Sequence, residues 1–156
     1  MAQGQRLGDH QFTFGLTPAQ VETLTSMATE VRFAEDEVIL LDSQRSEYFY
    51  LLVSGSVAVE LCTPAYAICV QALGPGEVFG WSALLDHHDT VFRVRARERT
   101  TALRIGGAEL AGLCRTDSQL GIEVLLRTLQ VVARRVRATE ERFAEMWGVR
   151  PQAAGI

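Results

Sequence analysis

Between Val31 and Ile105 the apolar residues of this 156-residue chain recur with a period of two, and on either side of that stretch the period is helical. A double switch of this kind restricts the fold to a β-rich body with helices at its two ends. The segments EVILL, EYFYLLV, SVAVEL and YAICVQAL are rich in β-branched and aromatic residues and are punctuated at Ser54-Gly55, Thr63-Pro64 and Gly74-Pro75-Gly76. Together with VFRVRA and TTALRI they amount to about eight short strands, and this spacing predicts an antiparallel double-sheet roll, jelly-roll-like, because one open sheet would leave long edges unpaired.

The flanking helices announce themselves by their caps. Thr17 at an N-cap, Pro18 at the first helical position and Gln20 placed to close a capping box predict a helix that carries Val21, Leu24 and Met27 and runs to about Thr29. After Gly106-Gly107 a short helix (AELAGLC) is expected to end near Arg115. Thr116 and Gln119 again stand at capping-box spacing, opening a long helix to about Trp147. On that helix Ile122, Leu125, Leu129, Val132, Val136, Thr139, Phe143 and Met146 follow one another at steps of three and four. This is a coiled-coil seam, with Thr139 as its polar interruption, and it predicts a homodimer contact. Leu110, Leu113 and Leu126 are then available to face the roll. Arg134, Arg135, Arg137 and Arg142 alternate with Glu140, Glu141 and Glu145 at salt-bridge spacing and read as a solvated face. The chain thus divides into an N-terminal segment (1–16), a helix plus roll (17–115), a long C-terminal helix (116–147) and a tail (148–156).

Composition narrows the function classes. The net charge of -4 argues against nucleic acid as the main partner. Cys62, Cys69 and Cys114 fit neither a disulfide framework nor a zinc knuckle, so they read as small buried hydrophobes in a reducing, cytoplasmic protein. No signal-peptide pattern and no apolar run long enough to span a bilayer is present, so no membrane partner is expected. Nothing resembles a nucleophile elbow, a Walker loop, a zinc-binding histidine pair or an acid–base dyad, and the chain is not expected to be an enzyme. Glu77, Asp86 and Asp89 could be grouped as a carboxylate cluster, but they read as turn acids serving solubility and local capping.

The stretch from Gly74 to Ile105 carries the chemistry. A glycine-rich turn (GPGEVFGWSALL) leads through a polar link into the strands VFRVRA and TTALRI. A strand, a tight turn, a single helical turn and a return strand can converge backbone N–H groups on an anion. Arg93, Arg95, Arg97 and Arg99 alternate with Val94 and Ala96, so if Phe92 and Val94 face inward these arginines line the outside of the roll.

A capped helix, an eight-stranded roll, a glycine-turn cassette and a long C-terminal helix, in that order, resemble the cyclic-nucleotide-binding effector domain of the catabolite activator family. The resemblance covers roughly residues 12 to 147. It is carried by Gly74-Pro75-Gly76-Glu77-Val78-Phe79-Gly80, Ala83-Leu84-Leu85, Val94-Arg95-Ala96 and Ala133-Arg134-Arg135-Val136. The family's cassette uses a glutamate for the ribose 2′-hydroxyl, an arginine for the cyclic phosphate, and backbone N–H groups for the remaining oxygens. Phe79, Gly80, Ala83 and Leu84 match, which implies that the backbone half of this cradle is retained, and Ser82 between them joins the candidate ligand-binding residues. Trp81 stands where the glutamate would be and Thr90 where the arginine would be, followed by Val91 and Phe92. Thr139 aligns with the family's base-contacting threonine.

The leading expectation is a stand-alone sensor: a ligand-responsive homodimer with degenerate cyclic AMP anchors. Its effector would be cAMP or cGMP held in a non-standard mode with Trp81 stacked on the base, or a more apolar small molecule. The family's helix-turn-helix would follow the C-terminal helix, where Gly148 to Ile156 remain, so a separate output protein is expected to make any DNA contact. Two alternatives accompany it. Trp81 and Phe92 could fill the cavity of a ligand-free dimeric scaffold or partner subunit. His87 and His88, with Cys69 nearby, could serve a haem or metal sensor, although adjacent histidines diverge and polar links commonly carry solvated ones.

Overall fold

The computed structural model describes residues 6–86 and 89–149. Its strands are β1 (Ala28–Phe33), β2 (Val38–Leu40), β3 (Tyr48–Ser54), β4 (Val57–Cys62), β5 (Ala67–Leu73), β6 (Val78–Phe79), β7 (Phe92–Ala96) and β8 (Thr100–Gly106); its longer helices, among the described residues, are α1 (Pro18–Met27), α2 (Gly107–Thr116) and α3 (Ser118–Met146). The strands form two four-stranded antiparallel sheets, ordered β1-β8-β3-β6 and β2-β7-β4-β5. The expected roll with helices at both ends is therefore present.

Two apolar clusters hold it together. Tyr50, Leu52, Val57, Leu73, Phe79, Val94 and Ala102 fill the interior of the roll. Phe49, Leu51, Leu103 and Ile105 turn the other way and meet Leu24 of α1, Leu110 of α2, and Leu120, Val124 and Val131 of α3. β3 thus has core on both faces, which is why its sequence is continuously apolar where an edge strand would alternate.

The capping box of α1 is made in both directions, Gln20 N–H to Thr17 Oγ1 at 3.2 Å and Thr17 N–H to Gln20 Oε1 at 3.0 Å. The helix stops at Met27, two residues short of the expected end. Ala28 and Thr29 already pair with Ile105 and Arg104 of β8, and those ladder bonds displace a further helical turn. α3 is capped by Asp117, whose carboxylate accepts from Leu120 N–H at 3.1 Å; the Thr116 hydroxyl instead donates back to the Gly112 carbonyl, so the expected Thr116–Gln119 box does not form.

Other expectations are corrected by exposure. Leu110 is buried and Leu113 packs on the helical core, but Leu126 is 53% exposed and faces away from the roll. Cys114 packs on the same core, and burial pushes its thiol pKa up; Cys69, expected to be buried, is exposed. The four α3 arginines do not share one solvated face: Arg137 and Arg142 pair with Glu141 and Glu145, whereas Arg135 turns inward. The stripe Ile122, Leu125, Leu129, Val136, Phe143 and Met146 lies exposed along α3, with Thr139 among it and Val132 half-buried.

Candidate functional site

The turn from Gly74 sets the floor of the site. Glu77 Oε2 accepts from Gly74 N–H at 2.7 Å, closing the turn, and β6 follows at once. Gly80 then adopts φ +76°, and a Cβ there would lie 2.5 Å from the Tyr48 carbonyl oxygen and 2.9 Å from Ser46 Oγ. Only glycine fits, and this reversal launches the single 3-10 turn Trp81–Leu84. Ser82 is buried, with Oγ accepting from Ser46 N–H at 3.1 Å. Gly107 lets α2 come against this turn, since a Cβ there would stand 2.4 Å from the Ala83 carbonyl oxygen.

A cavity of about 80 Å³ opens beside the turn, lined by Phe79, Gly80, Trp81 and Ser82 from the cassette, Thr90 from the link, Phe92 and Val94 of β7 with Leu40, Val59, Val70 and Gln71 from the other strands of its sheet, and Arg135 and Thr139 from α3. It adjoins a wider recess of about 390 Å³ walled by Asp89, Val91, Val132, Val136 and Glu140. Trp81, Thr90, Phe92, Arg135 and Thr139 line both.

The expected site residues therefore divide. Phe79, Gly80, Trp81, Ser82, Thr90, Phe92 and Thr139 meet in the inner cavity, and Val91 reaches the outer recess. Ala83 and Leu84 line neither; Ala83 is buried where α2 docks, and Leu84 packs on the helical core. The Thr90 hydroxyl accepts from Phe92 N–H at 3.1 Å, and the Thr139 hydroxyl donates to the Arg135 carbonyl at 2.9 Å. Phe92 and Val94 do face the cavity, and Arg93 and Arg95 stand on the outer surface, where both grip the buried Glu60. Burial alone would raise the Glu60 pKa, but the hydrogen bonds and charges of Arg95 and Arg93 outweigh it and hold the carboxyl below its ordinary value.

Sequence reasoning missed Arg135. Its side chain is only 15% exposed, Nη2 donates to the Val78 carbonyl at 2.6 Å, and Nη1 stands 4.0 Å from Glu77 Oε1. Burial pushes its pKa down to about 10, Glu77 opposing and Arg134 adding to the shift, so it remains a cation at neutral pH. Arg135 thus lines the cavity from the helix, where the sequence led us to expect no cationic residue. A signal was available: Val124, Thr128, Val131 and Arg135 continue one buried series at steps of four, three and four.

The described residues contain no group of histidine, cysteine or acidic side chains able to hold a metal ion. His87 and His88 lie outside the described residues. Among those described, no helix is long and apolar enough to cross a membrane.

The family model for the cyclic nucleotide-binding domain matches residues 30–117, more than half of the chain. The chain belongs to the cyclic nucleotide-binding domain family. The matched span holds the whole cassette and ends before α3, so Arg135 and Thr139 lie beyond it. Among solved structures, a cyclic nucleotide-binding domain from Methylobacillus flagellatus is similar over 96% of this chain and 86% of its own, with 20% identity and a TM-score of 0.80. A candidate cyclic nucleotide-binding protein from Geobacter metallireducens is similar over 87% of this chain and 99% of its own, with 24% identity and a TM-score of 0.75. A third is the regulatory subunit of a cAMP-independent protein kinase A from Trypanosoma brucei, in a variant with alanine for a glutamate and with arginine and alanine for a threonine and the valine after it, bound to cAMP in its A site. It is similar over 91% of this chain, which spans about half (49%) of that subunit, with 22% identity and a TM-score of 0.68. No curated protein sequence matches the chain significantly.

Proposed function

We propose that this cyclic nucleotide-binding domain is a regulatory module that pairs with a second copy through α3 and takes a small-molecule effector between the roll and α3. The observation that carries this reading is the shared wall: Trp81, Thr90 and Phe92 from the roll face Arg135 and Thr139 from α3 across one space. Val132, Val136 and Thr139 belong both to that wall and to the stripe that would form the dimer seam. A molecule seated there touches roll and helix together, so it binds one placement of α3 better than another and shifts the population toward it.

The effector is not cyclic AMP held in the family's ordinary way. Loss of a charge-assisted contact costs about 1.5–3 kcal/mol, and Trp81 and Thr90 replace two such anchors. At about 1.4 kcal/mol per tenfold, affinity falls by several orders of magnitude. A subunit of this fold described as cAMP-independent is described as bound to cAMP in its A site when alanine replaces a glutamate and arginine and alanine replace a threonine and the valine after it, so gain of an arginine accompanies cAMP binding there. Native mass spectrometry of protein purified without added ligand tests the proposal by reporting mass and retained molecule at once. A dimer carrying a small molecule supports it; a bare monomer of 17.2 kDa contradicts it.

A second reading, a dimeric scaffold without ligand, draws on the small inner cavity, which the Trp81 and Phe92 side chains help to fill. It predicts that no small molecule changes the melting temperature.

A further inference from the structure

A guanidinium offers five N–H donors in a planar fork. Arg135 uses one on the Val78 carbonyl, and its nearest carboxylate oxygen, on Glu77, is 4.0 Å away, outside hydrogen-bonding distance. Glu77 is itself engaged through its other oxygen by Gly74 N–H. The cation therefore lies almost buried, with an ion pair to Glu77 that is long and carries no hydrogen bond. Among the described residues that line the inner cavity it is the single charged group; most of the others are apolar, with Gln71, Ser82, Thr90 and Thr139 as the polar exceptions. An incompletely compensated cation in an apolar-walled space attracts an anion more strongly than it would in water. Two acids, Asp89 and Glu140, stand only in the outer recess, where they repel an anionic head from the mouth and favour its placement inward.

From this arrangement we infer that the effector is a small organic anion whose carboxylate or phosphate pairs with Arg135 while its apolar body lies against Trp81 and Phe92. The inference rests on the effector-binding reading above and names the ligand chemistry of that site. It also gives the site its lever. One guanidinium both ties α3 to the carbonyl that precedes Phe79 and grips the ligand, so anion binding redistributes the bonds that fix α3 on the roll. Arg135 adjoins Val136 of the exposed stripe, and the change reaches the proposed seam without any intermediary.

The test titrates 4-phenylbutyrate, phenyl phosphate and the uncharged 4-phenylbutyramide into the natural protein, Arg135→Gln and Arg135→Lys, reading thermal stability and affinity. Expected is stabilisation by one or both anions at millimolar concentration, with the amide weaker by about tenfold or more; whichever anion binds more tightly identifies the head group. Arg135→Gln is expected to abolish the difference between acid and amide. Should that variant fail to fold, Arg135→Lys keeps the charge and loses the fork, and is expected to weaken the acid while leaving the amide unchanged. Equal binding of acid and amide, no response to either anion, or an acid preference that survives Arg135→Gln or is undiminished in Arg135→Lys overturns the inference. A neutral molecule retained by the purified protein also overturns it, while leaving the effector-binding reading intact.

Discussion

Arg135 and Val78 join the long helix to the cassette: the guanidinium of one donates to the carbonyl of the other at 2.6 Å, across 57 positions of sequence. The bond is part-buried, joining the inner side of α3 to the buried strand β6, and it is charge-assisted. Arg135→Ala is therefore expected to cost about 2 kcal/mol, in the range for hydrogen bonds to charged groups, measured by urea denaturation. A loss below a few tenths would mean that α3 is fixed by its apolar face alone.

Gly80 permits the sharp reversal before the 3-10 turn. Gly80→Ala places a methyl group 2.5 Å from the Tyr48 carbonyl oxygen in a left-handed conformation. The strain and the forced shift together are expected to cost at least about 2 kcal/mol and to open the cassette, read as a lower melting temperature and faster amide exchange from Phe79 to Leu85.

Glu60 is covered by Arg93 and Arg95, which are themselves 27% and 29% exposed, so solvent lies one side chain away. Its carboxyl titrates below its ordinary value because the two arginines overcome the effect of burial. A depressed carboxylate pKa contributes stability that is complete above the unfolded value of about 4.3 and is lost as pH falls through the folded one. Glu60→Gln is expected to lower stability at neutral pH by about 2 kcal/mol, after allowance for the exposure of the arginines, and to flatten the acid limb of the stability profile.

His10 gives a second pH response in a different window. Its Nε2–H donates to the Leu52 carbonyl at 2.8 Å and its Nδ1 accepts from Phe12 N–H at 3.1 Å, an arrangement open only to the neutral ring. Burial lowers its pKa, the Leu52 bond opposing. The contribution is complete above the unfolded value of about 6.5 and declines as pH drops from there toward the folded pKa. His10→Gln is expected to remove the part of the denaturation midpoint's pH dependence that falls just below that value.

Much of the fold was legible because its signals are local. A period of two, glycine-marked turns and the Thr17–Gln20 box each follow from neighbouring residues, and the structure reproduces them. The end of α1 was misplaced because Ala28 and Thr29 obey β8, some 75 positions away in the register with Ile105 and Arg104, and no local pattern reports such a pairing. The cavity floor was legible as well, since Phe79 to Ser82 are fixed by a turn whose glycine cannot be exchanged. Arg135 was not, because the charges around it have salt-bridge spacing and mask its place in the buried series of Val124, Thr128 and Val131. Ala83 and Leu84 were grouped with the site by their position in a motif, and no local pattern reports that Ala83 abuts Gly107 of α2 and that the Leu84 side chain packs on the helical core.

The stripe on α3 leaves Leu129 62% exposed and Phe143 equally so. Leu129→Glu is expected to leave the single-chain fold intact and to shift a dimer toward monomer, checked by light scattering coupled to size exclusion. Unchanged mass would remove this stripe from the seam.

The most direct measurement is calorimetric titration of cyclic AMP into the natural protein and into the double variant Trp81→Glu, Thr90→Arg. The account predicts no binding to the natural protein below millimolar concentration and a clear gain in the double variant. Micromolar binding of cyclic AMP by the natural protein, or no gain on restoring the acid and the arginine, would contradict it.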